Sequence, residues 1–162
     1  SRIRTGKLSI RPAPVDLTKV VARLLENFAA QISAAQSSVN FTAGQPVVGQ
    51  WDEFRIEQVI SNLLTNALRY GAKKPIDVAV YIENDQAVVD VRDQGIGISA
   101  ENQQRVFQQF ERVSASHVTA GLGLGLFISE QIVTAHSGTI SVQSTLGEGA
   151  LFRVCLPLVQ KA

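Results

Sequence analysis

Two carboxamides, Asn62 and Asn66, stand four residues apart in the run Gln58-Val-Ile-Ser-Asn62-Leu-Leu-Thr-Asn66-Ala-Leu-Arg69-Tyr70. On a helix that spacing stacks both amides on one face. Their neighbours Leu63, Leu64 and Ala67 bring that face to the edge of the core. A buried amide without a partner costs about 1–3 kcal/mol, so the pair calls for either backbone groups of a loop or a polar ligand. An amide oxygen suits Mg²⁺, a hard cation usually bound through few protein ligands and substrate phosphates. Arg69 adds a guanidinium with phosphate geometry one turn further on.

Asp93-Gln-Gly95-Ile-Gly97 is the second chemical segment. Asp93 shares strand alternation with Val89 and Val91, which points its carboxylate inward. A carboxylate held there needs a partner. The amine of adenine is one, and the backbone of a strand-end turn is another. Gly95 and Gly97 permit close approach or positive φ. The third segment, Gly121-Leu-Gly-Leu-Gly125-Leu126, runs straight into a helical pattern. It reads as a phosphate cradle or as a hinge, since glycine frees backbone N–H groups at a helix start. It is neither a dinucleotide fingerprint, which needs Gly-x-Gly-x-x-Gly after a strand, nor a P-loop, which needs Gly-Lys-Ser/Thr.

In order along the chain, these segments resemble the sequence boxes of the GHKL ATPase/kinase superfamily, and most closely the catalytic domain of bacterial sensor histidine kinases. Gln58–Tyr70 resembles the N box, Asp93–Gly97 the G1 box, Phe107-Gln-Gln-Phe110-Glu-Arg112 the F box, Gly121–Gly125 the G2 box, and Gly147–Phe152 the last glycine box. The resemblance implies a catalytic domain that binds Mg·ATP and transfers its γ-phosphate to a protein histidine. Asn62 and Asn66 are then the catalytic amides, with Asn66 on Mg²⁺. Asp93 accepts from the adenine amine, and Arg69 and Tyr70 contact phosphates. Gly95, Gly97, Ile98, Phe110, Arg112, Gly121, Leu122, Gly123, Leu124, Gly125 and Leu126 complete the nucleotide contacts, with a mobile lid over about 97–122 that Phe107 and Phe110 anchor.

Hydrolysing members of the superfamily carry Glu where this chain has Asn62. An amide is no general base near neutral pH, so Asn62 favours transfer over hydrolysis. Ala150 stands where many relatives have Thr, which implies weaker adenine contacts. The implied phosphoacceptor histidine belongs to a separate dimerisation domain, because neither His117 nor His136 has an acceptor's context. A downstream response regulator is the further implied partner. An anti-sigma-type serine kinase and a non-catalytic interaction module are the competing readings.

The elements that must position these groups are legible as periodicity. Val20, Val21, Leu24, Leu25, Phe28 and Ile32 form one helical stripe from Asp16, with Asp16 or Thr18 as its cap. A short strand at Val39–Thr42 precedes a second helix with Ile56, Val59, Ile60, Leu63, Leu64 and Ala67, stopped near Gly71. Ile76–Ile82 and Ala87–Asp93 predict a hairpin, Gln103–Phe110 a short helix, Leu124–Ala135 a third long helix, and Thr139–Thr145 with Ala150–Pro157 a closing hairpin. The expected architecture is an α/β (α+β) two-layer sandwich. It has a mixed, largely antiparallel sheet covered on one face by three helices, the Bergerat fold of the resembling superfamily. Residues 1–14, with the punctuation Arg11-Pro-Ala-Pro14, read as a linker or the end of a preceding dimerisation helix, and residues 15–160 as the catalytic domain.

The 162 residues carry 15 Lys+Arg against 14 Asp+Glu, with 45% hydrophobic and 18% charged residues. That balance excludes a disordered chain and a strongly basic nucleic-acid binder. The single cysteine precludes an internal disulfide and fits a reducing compartment. With no signal-peptide pattern and no apolar run of membrane-spanning length, the expectation is a cytoplasmic domain without direct membrane contact. The starting Ser1 suggests a piece of a longer parent, which could be membrane-anchored.

Overall fold

The computed structural model describes residues 8–71, 73–108 and 122–160. The elements run β1 (Ala13–Asp16), α1 (Leu17–Asn27), α2 (Ala29–Ala34), β2 (Ser38–Ala43), β3 (Val48–Trp51), α3 (Glu53–Tyr70), β4 (Pro75–Glu83), β5 (Gln86–Arg92), α4 (Ala100–Gln103), α5 (Leu122–Ala135), β6 (Thr139–Thr145) and β7 (Gly149–Pro157). Five strands form one sheet in the order β2-β4-β5-β7-β6. The β2–β4 pair is parallel and the other pairs are antiparallel. This is the expected mixed, mainly antiparallel sheet.

Strand alternation decides which face is covered. Ile76, Val78 and Val80 of β4, Ala87, Val89 and Val91 of β5, and Phe152, Val154 and Leu156 of β7 are buried. They share one core with the stripes of α1, α3 and α5. On the other face Arg153 grips Asp90 through both carboxylate oxygens (2.7 and 3.0 Å), and Tyr81 Oη donates to the same group at 2.9 Å. Burial and the Asp90 carboxylate raise the Tyr81 phenol to about 12.

Four local readings change. Ala13 and Pro14, assigned to a linker, lie in β1, which pairs with β3 in a separate two-stranded sheet. Four-residue strands carry too little alternation to stand out in sequence. Their anchor is Trp51, fully buried, whose indole donates to Pro157 O at 2.8 Å. The first helical stripe is interrupted at Phe28, between α1 and α2, although Phe28 and Ile32 still pack against the core. The short helix after the Asp93 segment spans Ala100–Gln103 instead of starting at Gln103, because Ser99 caps it by accepting from Asn102 N. Finally, α5 begins at Leu122 and not at Leu124, so Gly123 and Gly125 belong to the helix.

His136 ties the two site-bearing helices at their far ends. It is fully buried, its Nδ1 lies 2.8 Å from Ile132 O, and its Nε2 accepts from Asp52 N at 3.0 Å. An accepting Nε2 carries no proton, so the ring is the neutral Nδ1–H tautomer. Asp52 itself caps α3 by accepting from Arg55 N. Burial pushes the imidazole pKa below 6.5, against the opposing pull of the Ile132 carbonyl and the Asp52 charge. The unfolded chain therefore takes up a proton that the folded chain refuses, and stability present above about pH 6.5 is lost as the pH falls. Thermal melts at about pH 7.5 and about pH 5.5 should show a lower Tm at the acid pH, and a smaller drop for His136→Gln. Equal drops in both proteins would exonerate His136.

Candidate functional site

The site is built where the end of α3 meets the end of β5. Asp52 caps α3, and an unbroken apolar stripe fixes its rotation, so Asn62, Asn66 and Tyr70 follow one another at single-turn spacing. Asn66 is 7% exposed, and among the described residues neither its Nδ2 nor the buried Tyr70 Oη has a hydrogen-bond partner. Two orphaned polar atoms one turn apart are uncommon in a folded core and point to a ligand. Asn62 is engaged: its Nδ2 donates to Gly125 O at 3.2 Å and to Ser129 Oγ at 3.1 Å, both on α5. Arg69 is exposed, with its guanidinium 5.9 Å from the Tyr70 ring centroid.

Asp93 extends the β5–β7 ladder by one residue, exchanging backbone bonds with Ala150 at 2.9 and 3.3 Å. It is 7% exposed, on the inward face shared with Val89 and Val91. Its Oδ1 accepts from Gly95 N at 2.9 Å. Burial raises the carboxyl pKa, and the backbone N–H groups of Gly95 and Ala150 pull it back. The end of α3 abuts this carboxylate: a Cβ on Gly71 would lie 2.7 Å from Asp93 Cβ. Asp93 thus stands beside the helix turn that carries the orphaned Asn66 and Tyr70 atoms.

The residues after Asp93 are sewn down on both sides. A Cβ on Gly95 would fall 1.8 Å from Tyr70 O, and Gly97 takes φ +73° with Thr145 O 2.3 Å from where its Cβ would be. Ile96 O accepts from Gly147 N at 2.6 Å and Ile98 N donates to Ser144 Oγ at 2.7 Å. Ile98, at 9% exposure, sits in the core. Gln103 Nε2 donates to both Ile98 O and Ser144 O. Residues 97–108, the first part of the expected lid, are docked on β6 and β7. Val106 is buried and Phe107 meets Phe152 edge-on at 6.4 Å between ring centroids. Phe110, Arg112, Gly121 and His117 lie outside the described residues. Of Leu122, Gly123 and Leu124 the backbone alone is described, as the first turn of α5, whose leading N–H groups lack intrahelical acceptors. Gly125 faces the Asn62 amide, and Leu126 is fully buried, so its side chain serves the core.

Residues 51–160 match the family described as Histidine kinase-, DNA gyrase B-, and HSP90-like ATPase. The chain belongs to this family. It is 34% identical over 146 residues to the sensor histidine kinase RppB of Synechocystis sp., covering 88% of this chain and 32% of that protein. It is 34% identical over 164 residues to the sensor histidine kinase MtrB of Mycobacterium tuberculosis, covering 99% of this chain and 29% of that one. The solved mycobacterial sensor histidine kinase MprB superposes with a TM-score of 0.78 at 27% identity, over 93% of this chain and 100% of that one. The chain spans about a third of the length of these two curated relatives and less of some others, and it corresponds to the catalytic ATP-binding portion of a histidine kinase.

Among the described residues of this histidine kinase-type domain, no group of three or more His, Cys, Asp or Glu side chains could hold a metal ion. An amide oxygen supplemented by phosphate oxygens is a donor set of the kind Mg²⁺ accepts. Among the same residues no helix is long and apolar enough to cross a membrane. Two residues that shape the site escaped the sequence reading. Ser129, a fully buried polar residue, is absent from that reading. Its signal was the four-residue step from Gly125, which puts both on one helix face. Gly71 looked like a helix stop, although Asp93 requires it to lack a side chain.

Proposed function

We propose that this domain binds Mg·ATP and presents the γ-phosphate to a histidine on a separate dimerisation domain of the same parent protein, from which a response regulator receives it. The observation that carries the proposal is the pair of buried atoms, Asn66 Nδ2 and Tyr70 Oη, that have no partner among the described residues, beside the inward Asp93 carboxylate. Asp93 accepts from the exocyclic amine of adenine while Gly95 N holds its other side. Asn66, Arg69 and Tyr70 face the phosphates, with the Asn66 oxygen on the cation. Mg²⁺, when bound, neutralises phosphate charge. Gly95, Gly97 and Ile98 shape the adenine side through backbone packing, and Leu122–Gly125 offer the N–H groups of the α5 start. The contacts assigned to Phe110, Arg112 and Gly121 remain proposals from the family pattern.

Asn62 decides the reaction class. Its nitrogen donates to Gly125 and Ser129, and an amide takes up no proton near neutral pH. Water is therefore not activated, and transfer to a protein nucleophile is favoured over hydrolysis. We place the domain in the cytoplasm, where ATP is available, within a parent that can be membrane-anchored elsewhere. The test combines titration of the chain with Mg·ATP and incubation with labelled ATP plus the dimerisation domain of the parent gene. Saturable Mg²⁺-dependent binding and acid-labile label on the dimerisation domain are expected, with little phosphate release by the lone domain. Saturable binding with label on a serine of another protein would replace the acceptor. Absence of binding would leave an interaction module.

A further inference from the structure

We infer that Ser129 is a positioning residue. With the Gly125 carbonyl it turns the Asn62 amide nitrogen toward α5 and so directs the amide oxygen away from α5, toward the phosphate side of the site. This role rests on the nucleotide reading above and specifies how one of its amides is oriented.

Ser129 has no exposed surface, and its neighbours on α5 include the fully buried Leu126, Ile132 and Val133. A hydroxyl in such surroundings is costly unless bonded, and its bond is to Asn62 Nδ2 at 3.1 Å. The second acceptor, Gly125 O at 3.2 Å, lies one turn earlier on the same helix. A carboxamide nitrogen has two N–H donors, and α5 supplies an acceptor for each. The Gly125 carbonyl cannot donate, so an amide flipped about its terminal bond would set oxygen against oxygen. Ser129 occupies the remaining N–H and arrests the rotation that one bond would allow. Position 125 suits this arrangement, since even a Cβ there would clear the Asn62 amide carbon by 3.8 Å. Orientation of the first α3 amide is therefore set by α5, whose opening turn is the glycine segment.

The test uses Ser129→Ala, Asn62→Ala and the double variant in the 162-residue chain. A non-hydrolysable ATP analogue is titrated with Mg²⁺ and with EDTA. Ser129→Ala should weaken the Mg²⁺-dependent binding by roughly five- to tenfold, the worth of one lost hydrogen bond, and leave the EDTA affinity unchanged. The double variant should bind like Asn62→Ala, because Ser129 acts through that amide. In the nucleotide-free protein, the Asn62 side-chain N–H signals should exchange with water faster once Ser129 is removed. Equal losses in the two buffers, additive losses in the double variant, or unchanged amide exchange would each overturn the role of Ser129 while leaving nucleotide binding intact. A wild-type chain that binds no analogue overturns the nucleotide reading, and the role of Ser129 with it.

Discussion

Asp93→Ala is expected to lower the affinity for ATP by about 10–100-fold, the equivalent of losing a charge-assisted hydrogen bond of roughly 1.5–3 kcal/mol. The magnitude follows from the setting of the carboxylate. At 7% exposure water does not compete for it, and backbone N–H groups hold it in place. A fixed acceptor recognises a donor, so adenine, with its exocyclic amine, is favoured over guanine, whose carbonyl at the same edge would meet the carboxylate oxygen to oxygen. The variant should lose most of the preference for ATP over GTP. Asp93→Asn keeps an oxygen for Gly95 N and separates this effect from loss of the turn. Calorimetric titration with both nucleotides decides it, and an unchanged ATP-to-GTP ratio in Asp93→Ala would falsify the assignment.

Gly95→Ala should be the most damaging single methyl addition in the site. The new Cβ would stand 1.8 Å from the Tyr70 carbonyl oxygen and 2.9 Å from Gly71 Cα. Both are backbone atoms, so no side chain can swing aside, and either the Asp93 turn or the end of α3 must move. Overpacking of this kind costs about 1–3 kcal/mol or more, which for a chain of this length lowers Tm by roughly 2–4 °C per kcal/mol. A fall on the order of 5–10 °C is expected, together with weakened ATP binding, since the displaced pieces carry Asp93 and Tyr70. Gly125→Ala is the control. Its Cβ would have room, and alanine gains up to about 1 kcal/mol over glycine within a helix. A Gly95→Ala protein that melts like wild type would show that the two backbones are not in contact.

The layered fold was legible because its large elements carry strong periodicity. The stripe Ile56, Val59, Ile60, Leu63, Leu64, Ala67 specifies α3, and the alternation of Ile76, Val78 and Val80 specifies β4. Both are buried as their patterns require. The two four-residue strands β1 and β3 were not legible, since pairing between residues 13–16 and 48–51 is a non-local event that holds through Trp51 and the end of β7. The start of α5 was misplaced for a related reason. Glycine-rich sequence argues against helix, and packing of α5 on α3 outweighs that local preference.

By itself the sequence determined which chemistry the chain holds: two amides one turn apart, an inward acid at the end of a strand, and glycines where backbones must pass. These follow from residue type and spacing, which are local. Only the tertiary structure decided how those groups are used. It showed that Asn62 is already bound to α5 while Asn66 and Tyr70 keep buried atoms without partners among the described residues. It also showed that Gly95 is demanded by the Tyr70 carbonyl, and that His136 joins α5 to the cap of α3. Hydrogen-bond partners and close approaches between residues 25 to 84 positions apart depend on how helices and sheet pack, and no spacing along the chain encodes that.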